Sequence, residues 1–160
     1  MKEQLILVLL RLSMGWVFLW AFFDKLFGFG ISTAPDKSWI AGASPTYGFL
    51  KFGTHGSFKP LFESLAGNPL VDWLFMLGLL GIGAALMLGI ARKISTLSGT
   101  LLLFLMWLSL FPPENNPFLD EHIIYILALQ LLLQLHSGEV LGLGKWWSET
   151  KIVKKFSFLK

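Results

Sequence analysis

The polar side chains of this 160-residue sequence gather in a few short segments: Asp24-Lys25, Glu114-Asn115-Asn116, Asp120-Glu121-His122 and Tyr125. Carboxylates, amides, an imidazole and a phenol together offer donors and acceptors to a polar ligand head. The His122 imidazole could exchange a proton with a ligand oxygen. Pro112, Pro113 and Pro117 hold the Glu-Asn-Asn run in a stiff frame, which lowers the ordering cost of binding. Asp120 and Glu121 also open a helical segment, where acidic side chains complement the helix dipole without any ligand. A second polar group sits inside apolar stretches: Arg11, Gln130 and Gln134. An arginine about 9 Å into such a stretch faces the protein interior or snorkels outward.

Much other chemistry is excluded. There is no cysteine, so thiol catalysis, Fe–S ligation, c-type haem attachment and cysteine zinc sites are absent. His122 and His136 are fourteen positions apart (136 minus 122), about 21 Å along a helix, too far to be the axial ligands of one haem. His55 could meet His122, with Glu114 or Asp120 beside them, but neither histidine belongs to a His-x-x-Glu or Glu-x-x-His pair, and no metal is predicted. The formal charge of +3 is small, and no nucleic-acid partner is expected.

Positioning these groups falls to apolar elements. Hydrophobic residues make up 54% of the chain and charged residues 14%, against about 25% in soluble domains. Long charge-poor blocks predict an all-α membrane protein of one domain, with spans at about 5–25, 72–91, 94–111 and 121–137. The third connection is the proline-rich 112–117 run. The first, residues 28–70, is too long for a plain turn, and its aromatics predict a folded external cap between helices 1 and 2, with a short helix near Pro60–Ala66. Gly81, Ala85 and Gly89 repeat every four residues, predicting a close helix–helix approach on that face. Lys2, Arg92, Lys93, Lys145, Lys151, Lys154, Lys155 and Lys160 share one side, against Lys25, Lys37, Lys51 and Lys59 on the other, so both termini are expected in the cytoplasm. By this topology Asp24, Lys25, Glu114, Asn115, Asn116, Asp120, His122 and Tyr125 share the outer mouth of a four-transmembrane-helix bundle, while Gln134 shares the depth of Arg11. Residues 144–160 form a lysine- and aromatic-rich amphipathic tail suited to an anionic cytoplasmic leaflet.

Six segments resemble the DoxX/DoxD family of small prokaryotic membrane proteins: Arg11–Gly28 (RLSMGWVFLWAFFDKLFG), Ser44–Leu50 (SPTYGFL), Asp72–Met76 (DWLFM), Asn115–Pro117, Asp120–Tyr125 (DEHIIY) and Gly142–Trp147 (GLGKWW). They follow one another over nearly the whole chain. Many such proteins carry Gly-x-x-Lys in the first helix; here Phe22 stands in place of that glycine. The family includes the DoxD-type membrane subunit of thiosulfate:quinone oxidoreductase. The resemblance implies a multi-pass protein of the prokaryotic plasma (inner) membrane and quinone-linked redox chemistry, with quinone as cofactor and no haem or Fe–S cluster. It also implies a second membrane or soluble oxidoreductase subunit as partner, and leaves a homo-oligomer open. It supplies no catalytic residues. The alternative expectation is a non-catalytic membrane binding or scaffold protein.

Overall fold

The computed structural model describes residues 2–159, which are mostly helical with no strand among them. Met1 and Lys160, the latter counted above with the basic tail, lie outside the described residues. In chain order the helices are α1 (Lys2–Phe27), α2 (Lys59–Glu63), α3 (Pro69–Leu88), α4 (Arg92–Ser109), α5 (Glu121–Gln134), α6 (Gly144–Glu149) and α7 (Lys151–Lys155). Two of them, α1 and α3, are long and apolar enough to cross a membrane.

Local chemistry explains the boundaries. Asn68 caps α3 by accepting from the Leu70 N–H, Pro69 occupies the first position, and Gly89 ends the helix at φ 73°. The Gly89–Ala91 turn is so short that α3 and α4 must run antiparallel. Asp120 caps α5 with one carboxylate oxygen, which accepts from the N–H groups of His122 and Ile123. The span expected over 121–137 is shorter than the sequence suggested. α5 has 14 residues, about 21 Å, because His136 turns left-handed at φ 52° and leads into a separate turn at Ser137–Glu139.

α1 packs on α3, α3 on α4, α4 on α5 and α5 on α1, closing a ring of four. Met14, Phe18, Phe22, Met76, Leu79, Ile82, Leu86, Leu103, Leu129 and Leu132 fill its centre. The α1–α3 approach rests on Gly15 and Gly83. A methyl on Gly15 would stand 3.0 Å from Met87 Cγ, and one on Gly83 only 2.7 Å from Leu19 Cγ. The Gly81–Ala85–Gly89 stripe therefore does not work as a single helix contact: Gly81 faces open space, while Gly89 lies against Arg11 and Gly138. Outward, the four long helices present apolar side chains, among them Ile6, Leu9, Leu74, Leu77, Leu97, Leu101, Ile124 and Leu127. Inward lie Arg11, Asp24, Asp72, Ser95, Thr96, Ser109, His122 and Ser137, all buried. Apolar side chains thus cover the outside of the bundle as well as its centre, where a water-soluble bundle presents a polar face.

Residues 28–68 fold into short turns and α2. Asp72, in the first turn of α3, holds them down by accepting from Ser44 Oγ at 2.8 Å and from the Thr46 hydroxyl and N–H. Trp39 meets Trp73 edge-on, with ring centres 4.6 Å apart. Lys51 and Glu63 pair at 2.7 Å on the surface between the 49–53 turn and α2; each holds the other charged, raising the lysine pKa and lowering the glutamate's, chiefly through their hydrogen bond. At the C-terminus Trp147 Nε1 donates to Leu159 O at 2.7 Å, and the 157–159 turn packs against α4.

Candidate functional site

At the end of the bundle where α1 finishes and α5 begins, a cavity of about 350 Å³ opens. Its lining comes from three segments: Gly53 and His55 of the cap, Leu110, Pro113, Glu114, Asn115 and Asn116 after α4, and Leu119, Asp120 and Glu121 at the start of α5. The cap segment reaches this place because residue 56 is glycine. At φ 73° it lies so close to Phe111 O that no Cβ fits. The clamp is completed by His55, whose N–H donates to Ser109 O at 3.2 Å and whose Nε2 meets Pro112 O at 3.3 Å. A carbonyl only accepts, so Nε2 carries the proton and Nδ1 is left as an acceptor in the neutral ring. Asn116 shapes the loop: its Oδ1 accepts from the N–H groups of Phe118 and Leu119, both at 3.0 Å. Trp107 Nε1 anchors the same loop on Phe118 O at 3.1 Å. Asn115, exposed and without a side-chain hydrogen bond to the described residues, is the amide left free for a ligand.

The residues singled out in the sequence are thus divided. Glu114, Asn115, Asn116 and Asp120 line the cavity together. His122 does not; it is buried, and its Nδ1 donates to Asp120 Oδ2 at 2.8 Å. Tyr125 packs against the central core. Lys25 forms no ion pair with Asp24 or Asp120; its Nζ lies 6.0 Å from the centre of the Phe75 ring. Asp24 is 2% exposed, and neither carboxylate oxygen has a partner among the described residues. Asp120, Glu121 and His122 bring one ligand-type atom each within 4.8 Å of one another. Helix capping and the Asp120–His122 contact already account for two of the three.

Arg11 and Gln134 do not meet. Arg11, 1% exposed, lies at the opposite end and donates from Nη1 to Leu86 O at 2.8 Å and Met87 O at 3.1 Å, and from Nη2 to Leu141 O at 2.9 Å. The last carbonyls of α3 carry the negative end of its dipole, which suits a cation. Gln134 is exposed, and Gln130 instead donates to Thr100 Oγ1 at 3.0 Å. Glycines let these backbones converge: a Cβ on Gly89 would stand 2.7 Å from Arg11 Nη1, and Gly138 and Gly144 crowd Gly89 O.

Sequence reasoning missed Gly53, Leu110 and Leu119 as lining, and weighed His55 only as a metal ligand. The signal for the cap's docking was Gly56. No family model, curated protein or solved structure matches this chain.

Proposed function

We propose that the chain is a four-span, DoxX/DoxD-like protein of the prokaryotic plasma membrane, with both termini cytoplasmic. In this reading it is the quinone-interacting subunit of a membrane oxidoreductase of the thiosulfate:quinone type. Apolar outer faces on all four long helices, enclosing polar side chains, support a bilayer environment for α4 and α5 as well as for α1 and α3. The short α5 is accommodated because the 112–119 loop and the 137–139 turn, rather than lipid, cover its ends.

The observation that carries the functional reading is the cavity. Its volume of about 350 Å³ accommodates a quinone ring. Leu110 and Leu119 line it, and exposed Phe118 lies next in sequence to Leu119, an apolar path from the cavity for an isoprenoid tail. A bound quinone supplies two-electron, two-proton redox chemistry. Asn115 would donate to a ring oxygen, protonated His55 would do the same, and Glu114 and Glu121, protonated from solvent, would deliver the two protons that quinone reduction consumes, while Asp120 stays paired with His122. Those three carboxylates, with no lysine or arginine in the lining, also decide what the cavity does not take. A dianion such as thiosulfate at about 6 Å meets repulsion of about 1 kcal/mol from each, even with the screening of bulk water. The oxoanion is therefore oxidised on a partner subunit, and this chain receives the electrons.

Equilibrium dialysis of a short-chain ubiquinone analogue against protein in nanodiscs tests the site. Saturable binding is expected, weakened about tenfold by Asn115→Leu with no change in thermal stability. Absence of saturable binding refutes the reading. In intact cells, a cysteine placed at Lys154 should resist external labelling; if it is labelled, the orientation is wrong. The alternative, a non-catalytic membrane binding or scaffold protein, is favoured by the absence of Phe, Tyr and Trp from the lining. Thiosulfate-dependent quinone reduction with the partner subunit separates the two.

A further inference from the structure

A second, much smaller cavity lies at the Arg11 end. It measures about 10 Å³, room for a single particle of about water size, and is lined by Arg11, Arg92, Ser95, Thr96 and Ser137 together with apolar side chains and backbone. Both guanidiniums are incompletely paired: Arg11 Nε and Arg92 Nη1 are buried and have no hydrogen-bond partner among the described residues. Arg92 spends its Nη2 on Glu139 at 2.8 Å. Arg11 spends Nη1 and Nη2 on three carbonyls, which are dipoles and not charges. Two cations therefore face one carboxylate, and the surplus positive charge is buried with Arg11 at 1% exposure. The cavity also lies at the N-terminal turn of α4, whose dipole adds to the same positive field.

We propose that this cavity binds a single halide ion, chloride in the cell, between Arg11 and Arg92. An anion there accepts the two unpartnered N–H groups, takes hydroxyl donors from Thr96 and Ser137, and cancels the surplus charge. A water molecule, which is smaller than a halide, satisfies the donors and leaves the charge. Polyatomic anions are excluded by volume. The ion closes the junction where α1, the end of α3, the start of α4 and the 137–144 segment converge, so its effect is on the stability of that junction.

The test is thermal unfolding of the full chain in nanodiscs at constant ionic strength, with sodium gluconate replaced stepwise by sodium chloride or bromide, alongside ³⁵Cl NMR line widths. The melting temperature is expected to rise with halide and saturate, as binding to the folded state alone requires. The ³⁵Cl line should broaden, and bromide should compete. Arg92→Gln should raise the halide concentration at half-effect about tenfold or more. Thr96→Val, which keeps the side-chain volume, should raise it by a smaller factor and serves if the arginine variant does not fold. Melting temperature and line width that ignore halide, or a rise that gluconate reproduces, overturn the proposal and leave a buried water in the cavity.

Discussion

A pair of alanine substitutions on one helix should move stability in opposite directions. In α3, Gly81 has open space where a Cβ would stand, whereas at Gly83 that atom would meet Leu19 Cγ at 2.7 Å and Leu19 N at 2.9 Å. Contacts between carbon atoms are at rest near 3.5–4.0 Å, so Gly83→Ala demands about 1 Å of separation between α1 and α3. The Leu19 side chain can rotate away, but its backbone nitrogen cannot. Overpacking of this kind costs about 1–3 kcal/mol, and the helix propensity of alanine over glycine returns about 1 kcal/mol. Gly83→Ala should therefore destabilise by up to about 2 kcal/mol, lowering the melting temperature by up to about 8 °C for a chain of this length. Gly81→Ala receives only the propensity gain and should be stabilised by up to about 1 kcal/mol. Thermal unfolding of both variants in one nanodisc preparation reads the difference. Equal shifts of the same sign would refute the antiparallel register of α1 and α3, in which residues 15 and 19 face 87 and 83.

Asp72→Ala removes the acceptor that Ser44 and Thr46 share, costs about 2 kcal/mol, and should speed proteolysis within residues 28–68 while α1 and α3 stay intact. Gly56→Ala, at φ 73° and pressed against Phe111 O, should release the 53–56 segment and abolish ligand binding at the large cavity, seen as loss of quinone analogue binding with little change in helical circular dichroism. Asp24→Asn removes a buried carboxylate without a partner and should be neutral or stabilising by about 1–3 kcal/mol; destabilisation would mean the carboxylate is in use. The Lys51–Glu63 pair contributes through neutral pH. Glu63 has a lowered pKa, so its share is lost as pH falls through that lowered value; Lys51 has a raised pKa, so its share is lost as pH rises past the raised value. Side-chain NMR titration of both groups should show these opposite displacements, and Glu63→Gln should remove the displacement at Lys51.

Element boundaries were legible only where one residue signals them locally: Asp120-Glu121 was read as opening a helix, and α5 begins there. Gly89, which ends α3, was read as part of a packing stripe inside a span running to 91, and the span expected to reach 137 stops at Gln134. The loop that carries Glu114, Asn115 and Asn116 and its nearness to Asp120 were legible too, since prolines and helix direction leave few alternatives. Partner choice was not. Gln134 was aligned with Arg11 by depth, with Gln130 one turn away, yet packing leaves Gln134 exposed and turns Gln130 to Thr100, while Arg11 finds backbone carbonyls from segments 75 and 130 residues away. His122 has the chemistry for a ligand site, but packing buries it behind Asp120 and leaves His55 at the cavity. Periodicity specifies which face of a helix is apolar, within one turn of sequence. Which polar atom on that face meets which partner is a sum over four helices and a cap, and it exists only once they pack.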